Sequence, residues 1–171
     1  MSSPMRTLFL LCATVALTHA ADWTTFGHDP QRTGWAAEET LINKENAGSM
    51  ILKWKTKLPN ESYSLSAVTA PVVASDVSTA KGVRTVVYVA GISGTVFALD
   101  SETGETLWTR TFKYRIQPGK GGYQGTFLCP NGITATPVIE KTTQILYVIC
   151  LGKIGHDVGV VCCPSTFFKL V

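Results

Sequence analysis

The sequence has little charge, few histidines and no long apolar run beyond its N-terminus. Charged residues make up 16% of the 171 positions, and 15 cationic residues stand against 12 acidic ones, with no basic cluster. This distribution excludes the electrostatic footprint of a nucleic-acid-binding protein. The lack of an apolar run argues against a membrane-spanning segment in the mature chain. A hydrophobic content of 45% excludes a disordered or collagen-like chain and favours one globular domain.

The spacings that a metal site requires are missing as well. No Cys-x-x-Cys pair and no histidine cluster is present, and His28 and His156 stand apart from each other. Because zinc sites draw their ligands from closely and regularly spaced residues, we expect no metal site. The glycine-rich stretch Pro118–Gly122 lacks the spacing of a phosphate-binding loop and is expected to be a solvated loop.

The first twenty residues have the pattern of a secretory signal peptide. Arg6 precedes a short apolar core at 7–17, and Thr18-His19-Ala20 places small residues where a signal peptidase cuts. We expect residues 1–20 to be removed and the mature chain to be periplasmic, in a bacterium, or secreted. Leu11 stands before Cys12 where a lipid-attachment site needs a small residue, so no lipid anchor is expected. The alternative is a buried N-terminal helix.

Short strand signals follow a polar lead-in at 21–50. Strict alternation in Leu52–Leu58 predicts a half-buried strand. Four further runs are rich in β-branched and aromatic residues, are bounded by turn residues and predict an antiparallel meander. These runs are Ser66–Ala74, Thr85–Ala90, Thr95–Leu99 and Thr106–Phe112.

Parts of this pattern occur twice along the chain. The matching pairs are Thr69–Val73 with Ala135–Ile139, Val87–Val89 with Leu146–Val148, and Lys53–Lys55 with Leu107–Thr109. Four-stranded units at this period are typical of β-propeller blades. We therefore predict an all-β fold of antiparallel four-stranded blades at 51–150, an incomplete propeller of about one and a half blades. Residues 151–171 are expected to be a tail outside the repeat, as in a truncated or frame-shifted reading of a longer gene.

One motif identifies the type of repeat. Ala98, Asp100, Thr103, Gly104 and Trp108 have the form Ala-x-Asp-x-x-Thr-Gly-x-x-x-Trp. This form resembles the tryptophan-docking motif of pyrroloquinoline-quinone-type β-propellers, the quinoprotein repeat. Asp suits a tight turn because it accepts hydrogen bonds from nearby amides, and Gly tolerates positive φ. The resemblance implies that the tryptophan packs against the next blade; the alternative is an ordinary core tryptophan, and the five residues are structural in both cases.

Two functions are consistent with this resemblance. The first is an exported binding or scaffold propeller, whose ligand or partner protein the sequence does not identify. The second is the N-terminal piece of a quinone-dependent alcohol or sugar dehydrogenase, for which the resemblance implies pyrroloquinoline quinone and calcium. No catalytic or cofactor-binding residue of such enzymes maps onto this chain. The adjacent pair Cys162-Cys163 is either the vicinal disulfide that the resemblance implies over the cofactor of quinone-binding members or a chance feature of a segment outside the repeat. The long segment Tyr114–Gly132 is either a ligand-binding loop or a surface insertion.

We predict a disulfide between Cys129 and Cys150. Four cysteines follow the signal peptide and allow three complete pairings. This pair flanks a predicted hairpin with its turn near Thr142, and Pro130–Gly132 is turn-prone enough to bring the two Cα atoms within about 7 Å. Peptide mapping of the non-reduced protein checks the pairing, and two free thiols at these positions would contradict it.

Overall fold

The computed structural model describes residues 22–60, 68–112 and 132–149, with the backbone of three two-residue strands beyond them. The elements in chain order are a 3-10 turn at Ala47–Ser49 and strands β1 Val72–Thr79, β2 Gly82–Ala90, β3 Thr95–Asp100, β4 Thr106–Thr111, β5 Val138–Glu140, β6 Ile145–Tyr147, β7 Leu151–Gly152, β8 Val161–Cys162 and β9 Phe168–Lys169. Among these residues, no helix has the length and hydropathy that a membrane crossing requires.

The first sheet is a four-stranded antiparallel meander in the order β1-β2-β3-β4. Tyr88 at its centre lies opposite Val72 on one side and Ala98 on the other, and Ala98 in turn lies opposite Trp108. Small and large side chains thus alternate across one face of the sheet. The predicted all-β class and the antiparallel four-stranded unit are confirmed.

The first strand is displaced from its predicted position at Ser66–Ala74. It runs over Val72–Thr79, and its register with β2 shifts between Ala74 and Val77. A bulge at this point lets the strand continue through polar residues that read as a turn in the sequence. Asp76 adopts φ +58° there, a conformation that Asp tolerates better than most residues.

The segment predicted as a strand at Leu52–Leu58 belongs to no ladder of the described residues. From Trp54 to Leu58 its alternation of burial is as predicted, since the even-numbered side chains are half-buried and the lysines between them are exposed. Leu52, at the start of the predicted strand, is 80% exposed. Alternation predicts which face of a segment is covered. A strand also needs a neighbouring backbone to pair with.

The second sheet has the order β5-β6-β9 and packs against the first. Pro71 directly precedes β1, and Pro137 directly precedes β5, as the sequence repeat indicates. β9 lies in the segment expected to be an off-pattern tail, and it pairs with β6 as a third strand. The shared core consists of Val72, Ala74, Val77, Val86, Tyr88, Ala90, Val96 and Ala98 of the first sheet with Ile133, Ile139, Leu146 and Val148.

The lead-in segment lies between the first strands of the two sheets. Trp23 exchanges two backbone hydrogen bonds with Val73 of β1, at 2.9 and 2.8 Å. The carbonyl of Thr24 accepts a hydrogen bond from the amide of Ile139 in β5, at 2.8 Å. The lead-in therefore bridges β1 and β5 through its backbone.

A polar cluster around Asp22 reinforces this bridge. Asp22 Oδ1 accepts a hydrogen bond from the Ser75 amide at 2.7 Å, and Asp22 Oδ2 forms an ion pair with Lys141. Lys141 Nζ also donates to Ser75 Oγ at 2.9 Å. Burial raises the pKa of the Asp22 carboxyl, but the hydrogen bonds from Lys141 and Ser75 outweigh burial and leave the pKa below its usual value.

Asp22→Asn is expected to lower the free energy of unfolding at neutral pH by about 1 kcal/mol, because it removes the charge that Lys141 and the Ser75 amide stabilise. The folded-state pKa of Asp22 is lowered, so its contribution is full above the unfolded value of 3.8 and is lost as the pH falls through the folded value. Urea unfolding of both proteins over this range checks the effect, and the two stability curves must converge in acid.

Two further variants test the explanation. Lys141→Met breaks the same ion pair, so its effect and that of Asp22→Asn are expected to be less than additive. Glu105→Gln is the matched control, because its ion pair with Lys81, at 2.6 Å, joins two side chains that are each more than half exposed. Stability curves of the Asp22 variant and the wild type that remain equally far apart in acid would contradict the charge-based explanation.

Candidate functional site

The turn between β3 and β4 is ordered by one carboxylate. Asp100 Oδ1 accepts hydrogen bonds from the amides of Glu102 at 2.8 Å and Thr103 at 3.1 Å. The Asp100 carbonyl accepts a third from the Gly104 amide at 2.8 Å, and Thr103 Oγ1 accepts one from the Glu105 amide at 3.2 Å. Asp100, Thr103 and Gly104 of the motif therefore lie together in one hydrogen-bonded turn.

Asp100 is only 6% exposed, and its surroundings favour the charged form. Burial raises the pKa of the Asp100 carboxyl. The amides of Glu102 and Thr103, with the Arg84 guanidinium, outweigh burial and hold the pKa below its usual value. Arg84 Nε lies 3.6 Å from Asp100 Oδ2. The carboxylate is thus ionised at neutral pH and is engaged in holding the turn.

Gly104 is required at this turn for two separate reasons. Its φ of +71° is a conformation that residues with a side chain rarely adopt. A Cβ at this position would also lie 2.5 Å from Trp54 Cε3 and 2.7 Å from Thr56 Oγ1. The indole of Trp54 therefore rests directly against the backbone at Gly104.

The segment that carries Trp54 is docked on the turn by its side chains. Trp54 Nε1 donates to the Ser101 carbonyl at 2.8 Å, and Thr56 Oγ1 donates to the Gly104 carbonyl at 2.6 Å. Lys53 forms an ion pair with Glu102. The motif alone does not reveal this contact. The sequence indicates that Trp54 has a structural role only through the match between Lys53–Lys55 and Leu107–Thr109.

Ala98 and Trp108, the remaining motif residues, face each other across β3 and β4. Ala98 is fully buried, and Trp108 is half-buried against the shared core. The rings of Trp108 and Tyr88 lie 5.8 Å apart at an interplanar angle of 47°. The small Ala98 leaves room for both rings on this face. Docking of Trp108 on a following blade stays a prediction.

Other predicted site residues lie outside the described part of the chain. They are Cys129, Cys150 and the long segment at 114–132 except for its last residue, Gly132. In the described ranges, no three His, Cys, Asp or Glu side chains lie close enough together to hold a metal ion.

An open hollow of about 550 Å³ lies at the start of β1. It is lined by Trp23, Phe26, Gly27, Ala70, Pro71 and Val73. A quinone cofactor that bears several carboxylates needs cationic groups beside it, because an unpaired buried charge is costly. None of the lining residues is charged, so this hollow does not fit such a cofactor.

The blade geometry and the docking turn define a β-propeller repeat protein. The family described as glucose/ethanol/alcohol dehydrogenase, beta-propeller domain (PQQ), matches the chain at residues 23–145. This range covers well over half of the chain, including all of the first sheet and the docking turn. The chain therefore belongs to this family of PQQ-type repeat proteins. No curated protein and no solved structure matches the chain.

Gly104→Ala is expected to lower the free energy of unfolding by about 2–4 kcal/mol, because the new methyl group strains the backbone and displaces Trp54. Urea unfolding followed by tryptophan fluorescence measures both effects. Gly82→Ala is the matched control, since Gly82 in the same sheet has φ +94° but open space at its Cβ position. The control should cost about 1–2 kcal/mol. Equal losses for the two variants would show that the Trp54 contact contributes nothing.

Trp108→Ala is expected to cost about 2–3 kcal/mol, less than a fully buried tryptophan would, because the side chain is half-buried. Trp35→Ala serves as the control, since Trp35 is 72% exposed and its loss should leave stability unchanged. Equilibrium unfolding in urea compares the two variants. An unchanged stability for Trp108→Ala would refute its role as a main anchor of the sheet.

Proposed function

We propose that this chain is an exported β-propeller repeat protein that acts as a binding or scaffold module. Its parts are the lead-in at 21–50, the repeats at 51–150 and a tail at 151–171. Membership of the PQQ-type repeat family supports the propeller part of this proposal. The scaffold role is supported by one observation: the carboxylates of Asp22 and Asp100 accept hydrogen bonds from backbone amides of the fold.

Both carboxylates have lowered pKa values, a property that is common at catalytic sites. Here each accepts hydrogen bonds from backbone amides, from Ser75 for Asp22 and from Glu102 and Thr103 for Asp100. Neither residue lines the open hollow at the start of β1. These two carboxylates therefore serve to hold the sheets, the lead-in and the docking turn together.

The second candidate is a piece of a quinone-dependent dehydrogenase that oxidises alcohols or sugars. The description of the matching family favours it. Pyrroloquinoline quinone, held with calcium, would act there as the electron acceptor. Under this hypothesis the described sheet has the same structural role, and residues outside it supply the catalytic and cofactor-binding groups.

A dye-reduction assay tests whether this chain itself carries dehydrogenase activity. Residues 21–171 are incubated with pyrroloquinoline quinone, calcium, an alcohol or sugar, and an artificial electron acceptor. A binding or scaffold module is expected to give no dye reduction above the quinone alone. Dye reduction that saturates with substrate and is lost on chelation of calcium would overturn the scaffold role and support the dehydrogenase.

The export part of the proposal rests on the first twenty residues. Expression of the full chain in a bacterium is expected to yield a periplasmic product that begins at Ala21. Ala20→Arg is expected to block cleavage and leave the precursor uncut. N-terminal sequencing of the fractionated product measures both, and an intact N-terminus on the wild-type protein would overturn the proposal.

A further inference from the structure

Asn60 begins an acceptor sequence for N-linked glycosylation. Asn60-Glu61-Ser62 has the form Asn-x-Ser/Thr with a middle residue other than proline. No other asparagine among the 171 residues is followed two positions later by serine or threonine. An N-linked oligosaccharide on this chain would therefore be attached to Asn60.

The folded chain has no room for a sugar at Asn60. The residue is only 4% exposed, and its Oδ1 accepts a hydrogen bond from the amide of Ser93 at 3.1 Å. Its carboxamide lies against the backbone of Gly91, where a Cβ would overlap Oδ1 and Cγ and would lie 3.0 Å from Nδ2. An oligosaccharide is far larger than a methyl group, and its hydroxyls are costly to bury without partners. The fold therefore encloses the group that a glycosylation enzyme must reach.

The turn that Asn60 fastens also holds other parts of the chain. This turn, Gly91–Gly94, joins β2 to β3, and its carbonyls accept hydrogen bonds from the amides of Phe112 at 2.8 Å and Gly132 at 2.7 Å. Its first residue also pairs with Val68 in an isolated bridge. Displacement of Asn60 from this turn would thus disturb the end of the first sheet and the segment that leads into the second.

We infer that attachment of an N-linked oligosaccharide to Asn60 and folding of the chain exclude each other. Asn60 accepts the sugar only while the chain is unfolded, when its Nδ2 attacks the anomeric carbon of an oligosaccharide linked to a lipid diphosphate. A C–N bond forms, the bond from that carbon to the diphosphate oxygen breaks, the diphosphate leaves with the electron pair, and Nδ2 gives up a proton. The modified side chain then cannot return to its place beside Gly91.

This inference deepens the export part of the proposed function and rests on it. An export route that glycosylates Asn-x-Ser/Thr sequences before folding would produce a chain that cannot fold. The chain is suited to a route that leaves Asn60 unmodified. The enclosure of Asn60 therefore favours a bacterial periplasm over a eukaryotic secretory pathway.

Expression in yeast tests the inference, with a yeast secretion signal placed before Ala21 so that the outcome does not depend on residues 1–20. The wild-type mature chain is expected to gain mass that peptide N-glycosidase removes. It should be secreted several-fold less than Ser62→Ala, which lacks the acceptor sequence, because chains that cannot fold are degraded. The same two chains are produced in a bacterium, where no sugar is added, and the ratio of their yields there corrects for any other effect of the substitution.

The control moves the acceptor sequence to an exposed position. In the Ser62→Ala background, Asp76→Asn creates it together with Val77 and Ser78 by an isosteric change. The side chain of Asp76 is 54% exposed, and its φ of +58° is one that asparagine also tolerates. This variant is expected to carry the sugar and to be secreted as folded protein.

A purified oligosaccharyltransferase with a lipid-linked oligosaccharide provides a test that is independent of secretion. A synthetic peptide of residues 55–66 is expected to be glycosylated, and the folded wild-type chain from a bacterium is expected to remain unmodified. N-terminal sequencing of the exported product tests export by itself, so a failure of the proposed function and a failure of this inference can be told apart.

Three results would each overturn the inference. The first is glycosylation of the folded wild-type chain as fast as that of the peptide. The second is a glycosylated wild-type chain secreted from yeast with the urea unfolding curve of the bacterial protein. The third is a wild-type chain that yeast secretes without any sugar.

Discussion

The contact between the indole of Trp54 and the backbone at Gly104 is the constraint on which the surrounding arrangement depends. It requires a residue without a side chain at Gly104, a turn that presents the carbonyls of Ser101 and Gly104 outward, and a buried charge at Asp100 to hold that turn. The motif residues thus act together to create a flat, polar-edged platform. A tryptophan is well suited to it because the ring supplies area and the ring nitrogen supplies the donor.

The two sheets are joined by a second set of contacts around the bulge of β1. There the lead-in adds its backbone to β1 and β5, and Asp22 links the bulge of β1 with the turn after β5. Ser75 lies in this bulge, and its amide faces the lead-in, as the amide of Val73 does two positions earlier. An irregularity in one strand thereby becomes the attachment point for the neighbouring sheet.

The sequence was sufficient for the features that depend on local pattern. The meander follows from β-branched runs separated by turns, and the docking turn follows from the spacing of Asp100, Thr103 and Gly104. The true end of β1 was missed because a bulge through Ser75 and Asp76 has the composition of a turn. The role of the lead-in was missed for a different reason: the segment at 22–24 is too short to carry a strand pattern, and its partners lie about fifty or more positions away in the chain.

That separation has a kinetic consequence. Lys141 and its partner Asp22 are 119 positions apart, and the amide of Ile139 bonds to the Thr24 carbonyl. Contacts between such distant residues form late, since the intervening chain must first be ordered. The earliest-synthesised part of the described fold therefore waits for almost the last part before it is fixed in place.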